Sequence, residues 1–458
     1  MSVAQLGKAH ILLISQDVVG AEMAGPGIRY YHLARTLGRE FPVLLALPGD
    51  CARDLPTVDF HTVSYRPGDW HSLSAQVDGA RAVIFPSDIA SDLPQLAESG
   101  VPLVVDGYDP MLAEWLPLVH DQGLSEQESR WFARMRLLNF QYLMGDFFIC
   151  ASERQRDWWL GLLEANGRIN PYTYGEDASL RRLIDVVPYG LPETPPQPSR
   201  PVIKGIWPGI SATDRVILWG GGLWSWLDPL TAIRAMERVW ERRPDARLVF
   251  PGTRRPNPAL VGIATHEQAA RDLALQLGLL DKAVFFGGWV PYTEWPNVLL
   301  ESDVALTLHY ESTLETRLAF RSRILEYIWA GLPIVTTRGD ATSEVVAQNE
   351  IGTLVESQDP DGVANAILDL IDSPRQDWQR RMDKVRPTLT WERAAEPLIA
   401  FCRQPYRAPD KVAMKGNLGN PFYMSEILKL RSEVCAFETR RIVRLLDRVQ
   451  RLVPRRSR

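Results

Sequence analysis

The sequence predicts an α/β protein with two domains, each built on a parallel β-sheet covered by helices. Short apolar runs rich in β-branched residues alternate with helical patterns along most of the chain, as is typical of buried parallel sheets. The length of 458 residues exceeds what one ordinary core organises. A proline-rich stretch over 190–210 has no periodicity, and the alternation restarts after it, which places the domain boundary there.

Apolar strand patterns recur in both halves. In the first half they are ILLIS from Ile11, VLLAL, RAVIFPS, PLVVDGY, FFICAS and IDVVPYG. In the second half they are VILWGGG, ARLVFPG, AVFFGGW, DVALTL, LPIVTT and GTLVES. Asp228 and Pro229 suit the N-cap and first turn of the helix after VILWGGG. We predict domains at 1–195 and 203–400, followed by a helical segment at 401–458.

The C-terminal segment differs from the rest in charge. Residues 421–458 hold ten Lys or Arg and four Asp or Glu, a net charge of +6, in a long amphipathic helical pattern. Three interpretations stay open: packing on the body of the protein, oligomerisation through a coiled coil, and peripheral contact with an anionic membrane face.

Composition excludes several classes of function. The net charge of −5 argues against a nucleic-acid partner. The four cysteines lack C-x-x-C spacing, so neither a zinc site nor a disulfide framework is indicated, and a cytoplasmic location is predicted. No apolar run approaches the roughly 20 residues that span a bilayer. No Asp-x-Asp pair follows a strand, and we expect no metal and no other cofactor.

Two glycine-rich loops follow strands and precede helices. Gly25 and Gly27 lie between the first strand and its helix, with Arg29 in the first turn. Gly220, Gly221 and Gly222 end the first strand of the second half. Unshielded backbone N–H groups beside a helix N-terminus attract phosphate, although plain turns between strand and helix would show the same pattern. Neither loop has the G-x-G-x-x-G spacing of dinucleotide-binding folds.

The start of the helix SRILEYIWAG combines cations and a carboxylate. Arg321 and Arg323 lie where positive charge opposes the helix dipole, which makes sense if an anion binds between the helix and the arginines. Glu326, one turn further on, suits two hydrogen bonds from the hydroxyls of a ribose. The simpler alternative is a surface helix with an Arg/Glu pair at i, i+3.

Together these elements resemble the family 4 retaining glycosyltransferases of GT-B fold. The resemblance is carried by SRILEYIWAGLPIVTTRGDATSEVV, by the strands before it and the strand and helix after it, and by FICASERQRDWW, IDVVPYGLPE and GPGIRYYHLARTL in the first half. It covers nearly all of residues 10–400. It implies two Rossmann-like domains facing across a cleft, with the acceptor on the N-terminal domain and a nucleotide-sugar donor on the C-terminal domain.

The resemblance also implies roles for particular residues. Glu326 is similar to the glutamate that holds the ribose, with Leu325 beside it. The remaining donor contacts fall on Gly221, Gly222, Gly288, Trp289 and Val290, the last three where the family's backbone cradles the base. Gly25, Gly27 and Arg29 fall beside the diphosphate and the acceptor.

Three positions depart from the family's pattern. Leu318 stands where the family has the first glutamate of an E-x7-E motif, so the nearby Glu315 is the predicted substitute. The usual Arg and Lys of the diphosphate site are missing from GGGLWSWLDP, and Arg321 and Arg323 are the predicted replacements. Asp109 follows a first-domain strand in place of an active-site histidine. We therefore predict catalytic roles for Asp109, Arg323 and Glu315.

The predicted function is that of a retaining, metal-independent glycosyltransferase. Its partners would be a nucleotide-sugar donor and a carbohydrate, lipid-linked or small-molecule acceptor, as in polysaccharide biosynthesis. The alternatives are a sugar-nucleotide epimerase or phosphorylase of the same fold, and a non-catalytic sugar-nucleotide-binding partner protein. The epimerase would release product without an acceptor, the phosphorylase would absorb visible light through pyridoxal, and the partner protein would bind without turnover.

Overall fold

Two parallel β-sheets organise the computed structural model, which describes residues 9–49, 59–120, 122–253, 266–311 and 313–414, with 429–430, 432–434 and 436. The first sheet contains β1 (His10–Ile14), β2 (Val43–Pro48), β3 (His61–Tyr65), β4 (Ala80–Pro86), β5 (Leu103–Asp106), β6 (Phe147–Cys150) and β7 (Ile184–Val186). The second contains β8 (Arg215–Trp219), β9 (Ala246–Phe250), β10 (Val284–Phe286), β11 (Val304–Thr307), β12 (Ile334–Thr337) and β13 (Gly352–Val355).

Helices cover both sheets. Those of the first half are α1 (Gly25–Gly38), α2 (Ser74–Asp78), α3 (Ile89–Asp92), α4 (Met111–Val119), α5 (Leu124–Met144), α6 (Glu153–Ala165) and α7 (Pro171–Glu176). Those of the second half are α8 (Pro229–Arg242), α9 (Glu267–Gln276), α10 (Trp295–Glu301), α11 (Leu314–Leu318), α12 (Ser322–Ala330), α13 (Ala341–Gln348), α14 (Pro360–Leu370) and α15 (Arg375–Val385). The last three are α16 (Trp391–Ala394), α17 (Glu396–Arg403) and α18 (Pro409–Met414).

The strand order places the loops that matter for function. It is β3-β2-β1-β4-β5-β6-β7 in the first sheet and β10-β9-β8-β11-β12-β13 in the second. In each sheet the order reverses beside the first strand, between β1 and β4 and between β8 and β11. Ligands of open parallel sheets bind beyond the carboxyl ends of the strands at such a reversal.

The sequence patterns explain why these segments form. The central strands β1, β5, β6, β11 and β12 are buried at every position, so their continuous apolar runs have core on both faces. Asp228 caps α8 by accepting a hydrogen bond from the Thr231 N–H, with Pro229 in the first turn, as predicted. Gly331, at φ 69°, ends α12 in the left-handed conformation that glycine adopts at least cost.

The chain returns to the first domain after α15. A backbone bridge joins Leu191 to Thr390, and the Trp391 ring stacks on His32 of α1 at 5.1 Å. Further on, Arg168 and Asp410 form a fully buried ion pair with a nitrogen–oxygen distance of 2.7 Å. Residues 391–400, predicted as the end of the second domain, therefore contact the first.

Several hydrogen bonds join the two domains, and three of them lie beside the space between the sheets. Tyr292 N–H donates to the Ala21 carbonyl at 2.7 Å. Tyr108 Oη donates to the Phe320 carbonyl at 2.9 Å, and Gln155 Nε2 donates to the Leu318 carbonyl at 2.9 Å. These bonds fix the start of α1 and the approach to α12 on opposite walls of one cleft.

The predicted helix over 421–458 lies almost wholly outside the described residues. The few that are described within it are helical and exposed, Leu430 and Val434 among them. Among the described residues, no helix combines the length and the apolar character that crossing a bilayer requires.

Candidate active site

A cavity of about 560 Å³ lies between the two domains. Loops that follow β1, β4 and β5 line it from the first domain, and loops that follow β8, β9 and β10 line it from the second, together with the start of α12. Both strand-order reversals therefore open into the same space. This is the position that the fold offers to a ligand shared by two parallel sheets.

The glycine loop after β8 forms one wall of the cavity. Gly220, Gly221 and Gly222 all line it. The Gly220 N–H donates to Tyr327 Oη at 2.8 Å, and that hydroxyl donates to the Leu306 carbonyl at 3.1 Å. Gly221 has φ 83°, a conformation that L side chains rarely adopt. The loop is thus held by α12 while its backbone stays open to a ligand.

Arg323 projects from the first turn of α12 beside this loop. Its Nη2 donates one long hydrogen bond, 3.4 Å, to the Gly222 carbonyl, and its Nη1 is buried without a hydrogen-bond partner among the described residues. Burial lowers the pKa of Arg323. A buried cation with an unused donor, facing open backbone, is a strong site for an anionic group.

Arg321 differs although it lies two residues away and also lines the cavity. Its guanidinium makes two bonds to Glu315, at 2.6 and 2.7 Å, and a third contact to Asp340 at 3.3 Å. His309 Nε2 lies 2.9 Å from the same Asp340. Burial alone would raise the pKa of Asp340, but the hydrogen bond and charge of His309, with Arg321 nearby, lower it to about 2.

This buried network changes the predicted role of Glu315. Glu315 is 1% exposed, and it does not belong to the described cavity lining. Both carboxylate oxygens are engaged by Arg321. Glu315 is therefore positioned to neutralise that arginine, and it does not face the space in which a substrate would react.

Glu326 lines the cavity one turn inside α12. Trp295 Nε1 donates a hydrogen bond to its Oε2 at 2.9 Å. Burial raises the pKa of Glu326 to about 7, although the Trp295 hydrogen bond and the charge of Arg323 act in the opposite direction. A carboxylate so placed accepts further hydrogen bonds from hydroxyl groups of a ligand.

The predicted base-binding segment divides between two cavities. Trp289 and Val290 line the main cavity, whereas Gly288 lines a neighbouring one that shares both residues. Leu325 is fully buried and packs in the core beneath Glu326. Leu325 lines neither cavity, so the predicted contact of its side chain with the donor is replaced by a packing role in the core.

The first glycine loop also contains only part of the predicted site. Gly25 lines the cavity and Gly27 does not. A Cβ on Gly27 would lie 2.1 Å from the Val18 carbonyl oxygen. Gly27 serves close packing.

Arg29 is 2% exposed and does not reach the position beside the diphosphate that the family resemblance implies. It pairs with both oxygens of Asp106 at 2.8 and 3.0 Å. It also donates to the carbonyls of Val187 and Pro188. Its charge is therefore paired with that of Asp106 inside the first domain.

Asp109 does line the cavity, as predicted, and it is accompanied by acidic residues that the sequence analysis did not single out. These are Asp17, Asp88, Asp92 and Glu114. Aromatic side chains were also missed: Trp224 and Trp226 stack at 5.4 Å beside the glycine loop, and Trp295 holds Glu326. The only sequence signal for them was the abundance of tryptophan near predicted turns.

Two Rossmann-like domains that face each other across a glycine-lined cleft define the GT-B class of glycosyltransferase folds, and the predicted fold is confirmed. Residues 209–385 match the family model described as "Glycosyl transferases group 1". The matched residues include the glycine loop after β8 and α12.

A curated relative supports the same assignment over a shorter region. The GDP-mannose-dependent alpha-(1-6)-phosphatidylinositol monomannoside mannosyltransferase of Mycolicibacterium smegmatis is 28% identical over 149 residues, 31% of this chain. The match spans 35% of that protein, about a third of its length.

Solved structures match along most of the chain. The sucrose-phosphate synthase of Thermosynechococcus elongatus has a TM-score of 0.59 at 17% identity, covering 86% of this chain and 98% of that one. WaaG, a glycosyltransferase of lipopolysaccharide biosynthesis, has a TM-score of 0.57 at 16% identity, with coverage of 86% and 98%. HepE of Anabaena, in complex with UDP, has a TM-score of 0.56 at 12% identity, with coverage of 86% and 99%. At these identities the likeness concerns the fold.

Proposed function

We propose that this protein is a retaining glycosyltransferase that moves a sugar from a nucleotide-sugar donor to a hydroxyl group of a carbohydrate or lipid-linked acceptor. The observation that carries the proposal is the arrangement of Arg323, the Gly220–Gly222 loop and Glu326 on one wall of the cavity. An unpaired buried cation beside open backbone suits a diphosphate, and a carboxylate one turn deeper suits a ribose. The family model over residues 209–385 supports the same reading.

The donor is proposed to bind the second domain with its base near Trp289 and Val290. The mannosyltransferase relative is GDP-mannose-dependent, and HepE was solved with UDP, so both bases are candidates here. The diphosphate would lie between Arg323 and the Gly221 backbone. The sugar would then extend toward Asp109 of the first domain, where the acceptor would enter.

In the proposed reaction, the bond between the anomeric carbon and the diphosphate oxygen breaks, and a bond from that carbon to the acceptor oxygen forms on the same face. The acceptor's hydroxyl proton passes to the departing phosphate. Negative charge builds on the leaving group as the sugar becomes oxocarbenium-like, and Arg323 stabilises that charge. Asp109 is proposed to orient the acceptor. Retention itself rests on the resemblance to family 4.

We propose that the reaction requires no metal ion. Within the part of the chain that the structure describes, no group of three or more His, Cys, Asp or Glu side chains is arranged to hold one. The cation at the diphosphate position is Arg323. Activity that is unchanged by excess chelator would agree with this proposal, and activity restored only by added divalent metal would contradict it.

The cavity lining weighs against the phosphorylase alternative. A pyridoxal-dependent phosphorylase of this fold needs a lysine to carry the cofactor, and no lysine is among the described residues of the lining. No contact in the cavity favours the epimerase or the partner protein over the transferase.

A thermal-shift panel tests donor binding directly. UDP, GDP and dTDP, each alone and as sugar conjugates, are added to the full chain, and the matching nucleotide should raise the unfolding temperature. At 100 times its Kd, a ligand adds about 2.7 kcal/mol of stability. No shift with any of them would contradict the proposal.

Glu326→Ala should weaken binding of the matching nucleotide, whereas Glu356→Ala, an exposed position in the same domain, should not. Unchanged affinity in the Glu326 variant would remove this residue from the site. Once an acceptor is in hand, the anomeric configuration of the product, read by NMR, tests retention.

Location and membrane contact remain predictions. We propose a cytoplasmic protein that contacts a membrane surface through the basic segment 421–458. Pelleting with anionic vesicles should be stronger for the full chain than for a version ending at Asn420. Equal pelleting of the two would contradict the membrane role.

A further inference from the structure

The two walls of the cavity carry opposite chemical character. Five acidic residues of the first domain line it: Asp17 after β1, and Asp88, Asp92, Asp109 and Glu114 after β4 and β5. We call the four that follow β4 and β5 the acidic wall. Among the described residues, no Lys, Arg or His of the first domain lines the cavity, whereas the second domain contributes Arg321 and Arg323. The acidic wall is therefore separate from the proposed diphosphate position.

Neighbouring loops of one sheet bring the acidic wall together. Asp88 precedes the short helix α3 after β4 and Asp92 ends it, while Asp109 precedes α4 after β5 and Glu114 lies in its first turn. Arg134 on α5 lies 3.4 Å from Asp88, and the charge of Arg321 acts on Glu114. Like charges at this spacing repel each other, so the wall would be stabilised by a ligand that brings positive charge or hydrogen-bond donors.

A metal ion does not fit this requirement. No part of the acidic wall belongs to a group of three potential metal ligands within the described residues. Divalent cations in proteins need several oxygens converging at bonding distance. An organic ligand can instead contact carboxylates that are spread over a surface, because its own donors are spread over a sugar ring.

A buried hydroxyl beside the acidic wall points to a ligand independently. Tyr30 is 3% exposed, and its Oη has no hydrogen-bond partner among the described residues. It lines a small cavity of about 20 Å³, which shares Gln16, Tyr108 and Asp109 with the main cavity. That volume holds roughly one polar atom with its hydrogens. An unpaired buried hydroxyl is costly, and a ligand's polar group reaching past Asp109 would satisfy it.

We propose that the acidic wall and Tyr30 form the acceptor subsite and that this subsite takes an unphosphorylated sugar bearing an ammonium group. The inference rests on the proposed function, since it assigns the acceptor of the same reaction. An ammonium group satisfies the carboxylates by charge and by hydrogen bonds. A phosphorylated sugar is repelled by the ionised carboxylates of the wall, so the subsite excludes it.

The protonation of Glu114 provides a signature of this binding mode. Burial, and next the charge of Asp109, raise the pKa of Glu114 well above its usual range. An ammonium placed among these groups favours the ionised carboxylate and lowers that pKa again. Binding of an amine should therefore release a proton from the protein, which calorimetry in buffers of different ionisation enthalpy detects.

A matched series of three probes tests the proposal. The full chain is saturated with the nucleoside diphosphate that the thermal-shift panel identifies, and calorimetry gives Kd for the methyl glycosides of glucosamine, glucose and glucose 6-phosphate. The amine should bind on the order of tenfold more tightly than the neutral sugar, and the phosphate should bind least. Equal affinities, tightest binding of the phosphate, or no binding of any probe while the nucleotide binds would overturn the inference.

Matched variants locate the preference. The Glu114→Gln and Asp109→Asn double variant should lose the preference for the amine and the proton release that accompanies its binding. Tyr30→Phe should lower the affinity for the amine. Glu98→Gln, at an exposed first-domain acid, should retain the preference. A preference that persists in the double variant would overturn the assignment.

Nucleotide binding in the same samples separates this inference from the proposed function. Nucleotide binding without a preference for the amine refutes the acceptor assignment alone. A preference for the amine without nucleotide binding refutes the proposed function, and with it the acceptor role, while the amine-binding subsite itself stands.

Discussion

Replacing Arg323 by Met should make the unliganded protein more stable and its nucleotide binding weaker. The guanidinium is buried with an unpartnered Nη1, and its one hydrogen bond, to Gly222, is long at 3.4 Å. Desolvation of an unpaired ion costs several kcal/mol. The variant loses the long hydrogen bond and the cation–π contact with the Trp219 ring, whose centroid lies 5.8 Å from Arg323 Cζ. Together these losses lower the stability by about 1–2 kcal/mol. We therefore expect a net gain of about 1–2 kcal/mol.

The same substitution removes the proposed partner of the diphosphate. A hydrogen bond to a charged group contributes about 1.5–3 kcal/mol. Its loss should weaken binding of the matching nucleoside diphosphate roughly 10- to 150-fold. Stability gained where a ligand-binding charge is removed is the usual trade-off at a functional site.

Arg321→Met is the matched comparison on the same turn of chain. Arg321 pairs with Glu315 and Asp340, and its removal leaves buried carboxylates without their cation. We expect a loss of about 3–5 kcal/mol. Urea denaturation gives the stabilities, and calorimetry gives the affinities. Destabilisation of Arg323→Met to the same degree as Arg321→Met, or wild-type nucleotide affinity in it, would refute the reasoning.

Three further predictions concern other parts of the molecule. Burial raises the pKa of Glu326 from 4.5 to about 7, so the carboxylate forms, and nucleotide affinity rises, as pH increases through about 7. The unliganded fold should lose stability as pH rises from about 4.5, where the unfolded carboxyl ionises, to about 7, where the folded one does. Calorimetry should show this rise in the wild type only, and an equal rise in Glu326→Gln would contradict it. Arg168→Met should lower the free energy of unfolding by about 3–5 kcal/mol, because it leaves the buried Asp410 carboxylate without its ion-pair partner. Urea denaturation measures this change. An unchanged midpoint would contradict that pairing. Gly27→Ala should cost about 1–3 kcal/mol, because its Cβ would lie 2.1 Å from the Val18 carbonyl oxygen; an unchanged unfolding temperature would contradict that contact.

Local pattern sufficed for most of the fold. Apolar runs predicted the central strands, because a strand that is buried on both faces is apolar at nearly every position. Asp228 marked the start of α8 and Gly331 the end of α12, since both act through neighbouring backbone. Glu326 was found in the same way: its place relative to the helix start is fixed by helix geometry alone.

Contacts between residues that lie far apart in the sequence could not be predicted from local sequence patterns. Arg29 looked like a ligand-facing cation, yet its partner Asp106 lies 77 residues away. The return of the chain to the first domain depends on Arg168 and Asp410, which are 242 residues apart. The acidic wall likewise gathers side chains from two separate loops, and no spacing in the sequence links them.

The sequence by itself determined the two parallel sheets, the glycine loop after β8 and the position of Glu326. Each follows from residue type and short-range geometry. Only the tertiary structure decided which of two neighbouring arginines is free to bind an anion. Arg321 and Arg323 are the same residue type, but Arg321 is the extended residue just before α12, whereas Arg323 lies in the first turn of that helix. Arg321 pairs with Glu315 and Asp340, whereas Arg323 keeps an unused donor beside the open glycine loop.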